Sequence, residues 1–378
     1  MAPYQAPSQP SQEQLERRRL VGVNAETVTD VSSVDFPGHY PGEDHSWDAA
    51  KFRDNFQVKF YQNDPLESSF SLIGLDASVA NAFRRILLSE IWTLAIEYVF
   101  VYNNTSIIQD EVLAQRLGLI PFKGNKKGLR DFLRPYHKPE EGSGEKIEGY
   151  DYNTIILALK IECTRNDQAA RGETNPHKAY HNAHVYAKDI VFKPYGEQTK
   201  YFSGEGAIQP TNPDILIAKM RPGQCIDVEM HAVMGIGSDH AKFSPVATAS
   251  YRLLPSIQIL KPIIGKDAKK FAACFPQGVI DLEPVTKKDA SKKGSGFEGH
   301  EGEMKAVVKD AMKDTVSREC LRHKEFEGKV KLGRVRDHFI FSIESLGQFD
   351  SEELFIESIQ VLRKKCLALK ENLSNMVR

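Results

Sequence analysis

Between Asp76 and Glu90 the chain reads D-A-S-V-A-N-A-F-R-R-I-L-L-S-E, with apolar residues at Val79, Ala82, Phe83, Ile86 and Leu87. Intervals of three and four residues put all five on one stripe of an α-helix, so the spacing predicts a helix over 77–90 with one apolar face. Asp76 precedes the pattern and is placed to cap it, its carboxylate accepting an orphan backbone N–H. Arg84 and Arg85 lie beside the stripe. Arginine can lay its stem on apolar surface and pair its planar head, which suits a protein interface. Taken alone, the helix reads first as an ordinary amphipathic core helix with solvated arginines.

Composition excludes several classes. Over 378 residues, 41% hydrophobic and 27% charged content describes a globular chain long enough for two or three compact units. Fifty Lys and Arg against 51 Asp and Glu leave a net charge of −1, without the basic excess of a dedicated nucleic-acid binder. No apolar run approaches a bilayer span, and Met1–Pro10 has neither the basic nor the apolar part of a secretory leader. Cys163, Cys225, Cys274, Cys320 and Cys366 follow no regular spacing, as expected of reduced thiols. The sequons at Asn103, Asn104 and Asn372 are then expected to be chance matches.

Along the chain, residues 1 to about 20 are Pro/Gln/Ser-rich and then charged, and are expected to be mobile. Residues 21–55 mix acids with aromatics (Asp30, Asp35, Phe36, Tyr40, Glu43, Asp44, Trp47, Asp48), either an extension along a partner or a loose arm. Alternation over Phe56–Tyr61 predicts a strand with Phe56, Val58 and Phe60 on one face, and Ser69–Gly74 a second strand leading into the helix. Strand, strand, helix and strand within about fifty residues make an α+β unit. Strand-like runs at 155–162, 184–192 and 226–233 mark a mostly β middle region. The stretches 140–149 and 286–303 contain Glu/Gly/Ser-rich and Lys/Ser/Gly-rich segments whose composition favours mobile linkers. Phe339, Phe341 and Ile343 alternate along a last strand. Asp350 and Glu353 are spaced to cap a helix carrying Phe355, Ile359, Leu362, Cys366, Leu369 and Leu373. Their spacing of 4, 3, 4, 3 and 4 is a heptad seam, suited to a partner helix or to the chain's own sheet.

The helix N-A-F-R-R-I-L-L-S, the strand Ala95–Tyr102 and the run D-E-V-L-A-Q-R-L-G-L-I-P at 110–121 together resemble the alpha-type assembly subunits of multisubunit RNA polymerases. A second block, G-I-G-S-D-H-A-K-F-S-P-V-A at 235–247, is similar to the family segment that contacts a large polymerase subunit. Read from its residues alone, the block is equally a tight turn, with Gly235 and Gly237 permitting unusual backbone angles and His240 and Lys242 displayed on the loop. The resemblance implies an α+β fold, an alpha-type dimerisation domain interrupted by a mostly β insert. Its boundaries would be an arm at 1–53, dimerisation parts at 54–105 and 334–378, and an insert at 106–333 with a ferredoxin-like remnant near 263–325.

It further implies partners. A small alpha-like subunit would pack on Phe83, Ile86, Leu87, Phe355, Ile359, Leu362 and Leu369. A second-largest subunit would meet Asn81, Arg84, Arg85, Gly235, Gly237, His240 and Lys242, with Arg85 the foremost. Small zinc-binding polymerase subunits would join them, and DNA only through the complex. The family's polymerase II member carries clustered zinc-binding cysteines and several archaeal members hold iron–sulfur clusters. Here only Cys274 and Cys320 fall in the corresponding stretch, too few for either site, so no metal and no cofactor is implied. Those features look most like the branch shared by eukaryotic polymerases I and III, in the nucleus and nucleolus, serving rRNA, tRNA and 5S rRNA transcription. The alternatives are the polymerase II equivalent or a stand-alone iron–sulfur redox protein.

His177, His181 and His184 would align on a helix and could then ligate a metal, but Asn175, Pro176 and the Tyr180–Asn182 stretch read as a loop entering a strand, where they diverge. No P-loop, dinucleotide fingerprint, nucleophile elbow or H-E-x-x-H is found, so no catalytic residue is expected.

Overall fold

The computed structural model describes residues 11–31, 40, 46–136, 149–170 and 172–376. Along the chain come α1 (Gln12–Arg19), β1 (Leu20–Val23), α2 (Ala49–Asn55), β2 (Gln57–Asn63), β3 (Glu67–Ile73), α3 (Ala77–Ser89), β4 (Thr93–Asn104) and α4 (Asp110–Gly118). They are followed by β5 (Thr154–Glu162), β6 (Cys225–Gly235), β7 (Val246–Ile259), α5 (Gly265–Ala273), β8 (Ile280–Pro284), β9 (Met304–Val308), β10 (Val330–Ser345) and α6 (Ser351–Met376), with short turns and bridges between. Two compact units form, each from three separate stretches. The first takes Met1–Lys59, Phe70–Ala80 and Tyr251–Phe341, the second Phe60–Ser69, Asn81–Ser250 and Ser342–Arg378.

The first unit is built on a sheet ordered Val28–Thr29, β1, β10, β3, β2, with β7 also paired to β10. β1 runs antiparallel to β10, from Leu20 opposite Val335 to Val23 opposite Leu332. Val21 and Val23 are buried by that pairing, so this part of the acid- and aromatic-rich segment is sheet. Asp35, Phe36, Glu43 and Asp44 lie outside the described residues. Phe70 stacks on Phe341 at 5.6 Å, and Tyr251 closes on both Phe339 and Phe341. A second group of buried side chains, centred on Phe271 against Phe275 and Phe326, joins α5 to β8 and β9. Gly74 is obligatory where β3 turns toward α3: its φ is +76° and a Cβ there would lie 2.5 Å from the Asn55 carbonyl.

Two expectations fail in this unit. β2 begins at Gln57, and its alternation does not bury one face: all seven residues are exposed, Val58 and Phe60 included. The strand is at the edge of the sheet, and its apolar side stays open to solvent. The Lys/Ser-rich stretch at 286–303 is not simply a linker. Thr286 and Asp289 close a capping box on the short helix Lys287–Ser291, and Lys305 binds Asp289 at 2.7 Å. Glu140–Glu145 lie outside the described residues.

The second unit holds a sheet ordered Val191–Phe192, β5, β6, β4. β6 is central and its registry with β4 runs from Ile226 opposite Asn104 to Gly235 opposite Thr93, shifting at two irregularities. The run expected as one strand at 184–192 breaks in two, His184–Tyr186 and Val191–Phe192. Between them Asp189 accepts the Tyr186 N–H at 2.7 Å and draws Ala187–Asp189 into a 3-10 turn. α6 is rooted by hydroxyls: Ser351 Oγ lies 2.5 Å from Ser68 Oγ and 2.8 Å from the Asp64 carbonyl. The side chains of Asp350 and Glu353 do not form the expected reciprocal cap. Both turn to Lys126, at 2.6 and 3.0 Å, because an ammonium nearby binds carboxylates more strongly than helix N–H groups do. Burial alone would lower the Lys126 pKa, but the contacts with and charges of these two carboxylates outweigh it and hold it above its ordinary value.

Candidate partner-binding surfaces

α3 spans Ala77–Ser89, with the Asp76 carboxylate accepting the Ser78 N–H at 2.8 Å. Of its apolar stripe, Phe83, Ile86 and Leu87 turn inward and are buried, and the Phe83 ring meets Phe355 of α6 edge-on at 5.4 Å. These three back a surface rather than line one. α6 differs. It buries Ser351, Leu354 and Ser358, while the heptad seam stays open: Phe355 and Leu362 are half-buried, and Ile359, Leu369 and Leu373 are exposed. Leu369 and Leu373 are 63% and 62% accessible. An uncovered apolar seam on a 26-residue helix is a surface that water disfavours.

Arg84 and Arg85 part ways. Arg84 donates from Nε and Nη2 to Asn81 Oδ1, at 3.0 and 2.9 Å, and lies along its own helix. Arg85 is exposed and carries no ion pair among the described residues.

The loop after β6 is pinned to the end of α3. Ser238 donates to the Ser89 carbonyl from N at 3.0 Å and from Oγ at 2.9 Å. Neither Gly235 nor Gly237 adopts positive φ, which corrects the expectation of unusual backbone angles. Their requirement is close approach: a Cβ on Gly235 would fall 2.7 Å from the Phe243 ring, and one on Gly237 would fall 2.2 Å from the Leu88 carbonyl oxygen. Gly237→Ala is therefore expected to push the loop off α3 and cost about 1–3 kcal/mol, seen as a lower Tm and faster proteolysis within 236–247. An unchanged Tm would show that the loop accommodates the methyl group. His240 is displayed, with Nδ1 accepting the Lys242 N–H at 3.1 Å. Lys242 is not displayed. Its ammonium turns inward to Glu97 at 2.6 Å and the Ile96 carbonyl at 2.8 Å, bracing β4 from below.

The three histidines do not converge. His177 follows the first residue of a single helical turn, His181 pairs opposite Thr164 in a short strand, and His184 opens the next. His177 and His184 stack ring on ring at 4.0 Å, a packing contact rather than a chelate. Burial, and then the nearby charges of His177, Lys219 and Arg221, hold His184 below the ordinary imidazole pKa. Cys320 is sealed in the core of the first unit, where burial pushes its thiol up to about 12, and burial also raises Cys274. Neither is an activated thiolate. Among the described residues no group of three or more His, Cys, Asp or Glu is placed to hold a metal, and no helix is long and apolar enough to cross a membrane.

The seam of α6 is an open apolar surface among the described residues. Residues 69–366 match the model of the RNA polymerase Rpb3/Rpb11 dimerisation domain. The chain belongs to that family. Its α+β fold is the family's, with α3 and α6 as its long helices and several antiparallel sheets. Full-length relatives include the DNA-directed RNA polymerases I and III subunit RPAC1 of Saccharomyces cerevisiae, 48% identical over 93% of this chain and 97% of the yeast protein. The Homo sapiens protein of the same name is 44% identical over 94% of this chain and 95% of its own length. Subunit 3B of RNA polymerases IV and V from Arabidopsis thaliana is 27% identical over 80% of this chain and 86% of its own.

Other residues near the end of α3 and on α6 are open without belonging to either apolar pattern. Trp92, 41% exposed between α3 and β4, was visible as a tryptophan outside either period. Glu357, Gln360, Val361 and Lys364 form a second helical stripe on α6, hidden from a search for apolar spacing because it is mostly polar.

Proposed function

We propose that this chain is a non-catalytic assembly subunit shared by DNA-directed RNA polymerases I and III. The observation that carries the reading is the contrast in identity. Full-length relatives at 44–48% are named for polymerases I and III, whereas those named for polymerases II, IV and V stand at 27%. In this reading 54–105 and 334–378 make the dimerisation domain, 106–333 the insert, and the first 53 residues an arm. The open seam of α6 pairs with a small alpha-like subunit. Arg85, with Asn81, Arg84 and the 235–247 loop beside it, meets the second-largest subunit. Small zinc-binding subunits complete the assembly, and DNA is reached only through it. The nucleotidyl transfer that makes rRNA, tRNA and 5S rRNA belongs to the large chains, and the complex works in the nucleus and nucleolus.

Affinity purification of the tagged chain from its own cells tests this. Large subunits of both polymerases I and III, together with a small alpha-like chain, are expected at stoichiometric level. Polymerase II subunits in their place would move the protein to that enzyme, and a lone chain would end the assembly reading. Arg85→Glu is expected to leave the small subunit bound and to lower recovery of the second-largest subunit about tenfold or more, the usual cost of reversing an interface arginine. Undiminished recovery would remove Arg85 from that contact.

A further inference from the structure

In the second unit the short strands His184–Tyr186 and Leu216–Lys219 pair antiparallel, and their outer side carries a column of rings. His184 and Tyr186 share that side, with Val185 between them buried. His177, on the single helical turn just before, stacks on His184 at 4.0 Å with the two planes 10° apart. Tyr186 continues the column at 6.3 Å and 18°. His184 is the middle ring, half-buried, and its Nδ1 is sealed off with no hydrogen-bond partner. His177 is exposed and ends the column.

Cations surround the rings. Lys219 pairs opposite His184, Arg221 lies over the Tyr180 ring at 5.9 Å, and Lys188 Nζ stands 5.0 Å from the Tyr186 ring centroid. Burial first, and then the charges of His177, Lys219 and Arg221, depress the His184 pKa, which places those groups about the middle ring. Lys178, Lys219 and Arg221 are exposed and have no ion pair among the described residues. The carboxylates beside them are mostly engaged: Asp189 accepts the Tyr186 N–H at 2.7 Å, Glu173 accepts the Asn175 N–H at 2.9 Å, and Asp214 stands 3.9 Å from Lys188. Residues 216–221 hold a lysine, an arginine and no acid. The near-neutral charge of the whole chain therefore conceals a local positive excess around an aromatic column.

We propose that the column is a stacking platform for single-stranded RNA: a base lies on the open face of His177, and the phosphates flanking it meet Lys178, Lys219 and Arg221. Sites that hold single strands without reading sequence combine ring faces with a basic track, because every base has a face to stack and every nucleotide a charge to neutralise. An acidic peptide would use the cations and leave the rings idle, so the column is what favours a nucleic acid. A duplex keeps its bases stacked on one another and offers no free face along its length, so the platform selects single strands. The choice of RNA over DNA rests on the assembly function proposed above, which sets the chain in enzymes whose single-stranded product is RNA.

The test uses the purified full-length chain and a fluorescent oligoadenylate RNA, read by anisotropy, with an RNA duplex, the matching DNA and an oligoglutamate peptide as competitors. Binding is expected to weaken with salt at a log–log slope of about −2, the release from three phosphates of a single strand. His177→Ala is expected to weaken it about tenfold and His177→Phe to restore it, because the position supplies a ring face and not a charge. Lys219→Glu combined with Arg221→Glu is expected to weaken it at least about tenfold and flatten the salt slope, with an unchanged circular dichroism spectrum. Wild-type affinity in both His177→Ala and the double variant would overturn the platform. Loss with His177→Phe equal to that with His177→Ala would overturn the stacking. Oligoglutamate competing as well as unlabelled RNA would make an acidic protein the occupant, and a preference for the duplex or the DNA would remove single-stranded RNA; either overturns the proposal. In the protein's own cells, ultraviolet crosslinking of the tagged chain is expected to leave RNA adducts within 176–188 or 216–221, and adducts confined to other chains would overturn the site. Recovery of polymerase subunits by a chain that binds no RNA would end the platform alone. RNA binding by a chain that recovers no polymerase subunit would end the assembly function alone.

Discussion

Replacing Leu369 and Leu373 together by arginine is expected to abolish pairing with a small alpha-like subunit while leaving the melting of the chain itself unchanged. Both side chains are more than half exposed on the last turns of α6, a helix in which no residue after Ser358 is buried. Little of the chain's own stability rests on them, and exposed helical leucine and arginine have nearly equal helix propensity. In a paired seam each leucine would lose its remaining water contact, worth roughly 1–2 kcal/mol per side chain. Losing two, and adding two charges to desolvate, removes at least about 2 kcal/mol, or about thirtyfold or more in affinity. Co-expression with the small subunit followed by size-exclusion chromatography reads the effect directly. The double variant should elute alone with the wild-type circular dichroism spectrum. Co-elution at wild-type level would place the dimer contact elsewhere, and a collapsed spectrum would mean that the tail of α6 supports the fold after all.

Local period and local capping were legible in the sequence, and partners distant along the chain were not. α3 lies where its three- and four-residue spacing puts it, with Asp76 at its start, because these signals are read over a single turn of helix. The heptad seam of α6 was equally plain, although only the folded chain shows that it is left uncovered. Asp350 failed as a cap because Lys126, more than two hundred residues earlier, takes its carboxylate. Lys242 failed as a displayed cation because Glu97 lies beneath it. Gly235 and Gly237 were rightly singled out but for the wrong cause. What excludes a side chain there is the Phe243 ring and the α3 backbone, not a dihedral angle. The exposed alternation of β2 has the same origin, since a period of two says which residues share a face and not whether anything covers it. The candidate surface divides in the same way. Its apolar half was visible as spacing. Its polar half, the stripe around Lys364 and the tryptophan at 92, becomes a surface only when α6 is set against the end of β6.

Gln348 determines how firmly the chain's last segment is fastened, and Gln348→Leu is expected to be the most destabilising single polar substitution in the second unit. The residue is 5% exposed and sits between the end of β10 and the start of α6. Its Oε1 accepts the Leu94 N–H at 3.1 Å, and its Nε2 donates to the Phe122 carbonyl at 2.7 Å. One side chain thus satisfies a donor on β4 and an acceptor on the short strand Phe122–Lys123, neither of which water replaces readily at that depth. Leucine keeps most of the volume and opens little cavity, so the cost isolates the two orphaned backbone groups, roughly 1–3 kcal/mol each and about 2–5 kcal/mol together. In a unit of this size that lowers Tm by roughly 5–15 °C. Gln348→Glu should fare no better, because it keeps the acceptor but removes the donor and buries a charge. Because α6 departs three residues later, loosening this anchor should also weaken capture on its seam before the unit melts. A Gln348→Leu protein with wild-type Tm and undiminished recovery of both partners would show that the neighbouring hydroxyl contacts of Ser351 suffice to hold the helix. A lowered Tm with proportionate loss of both partners would identify Gln348 as the joint through which the fold presents its two surfaces.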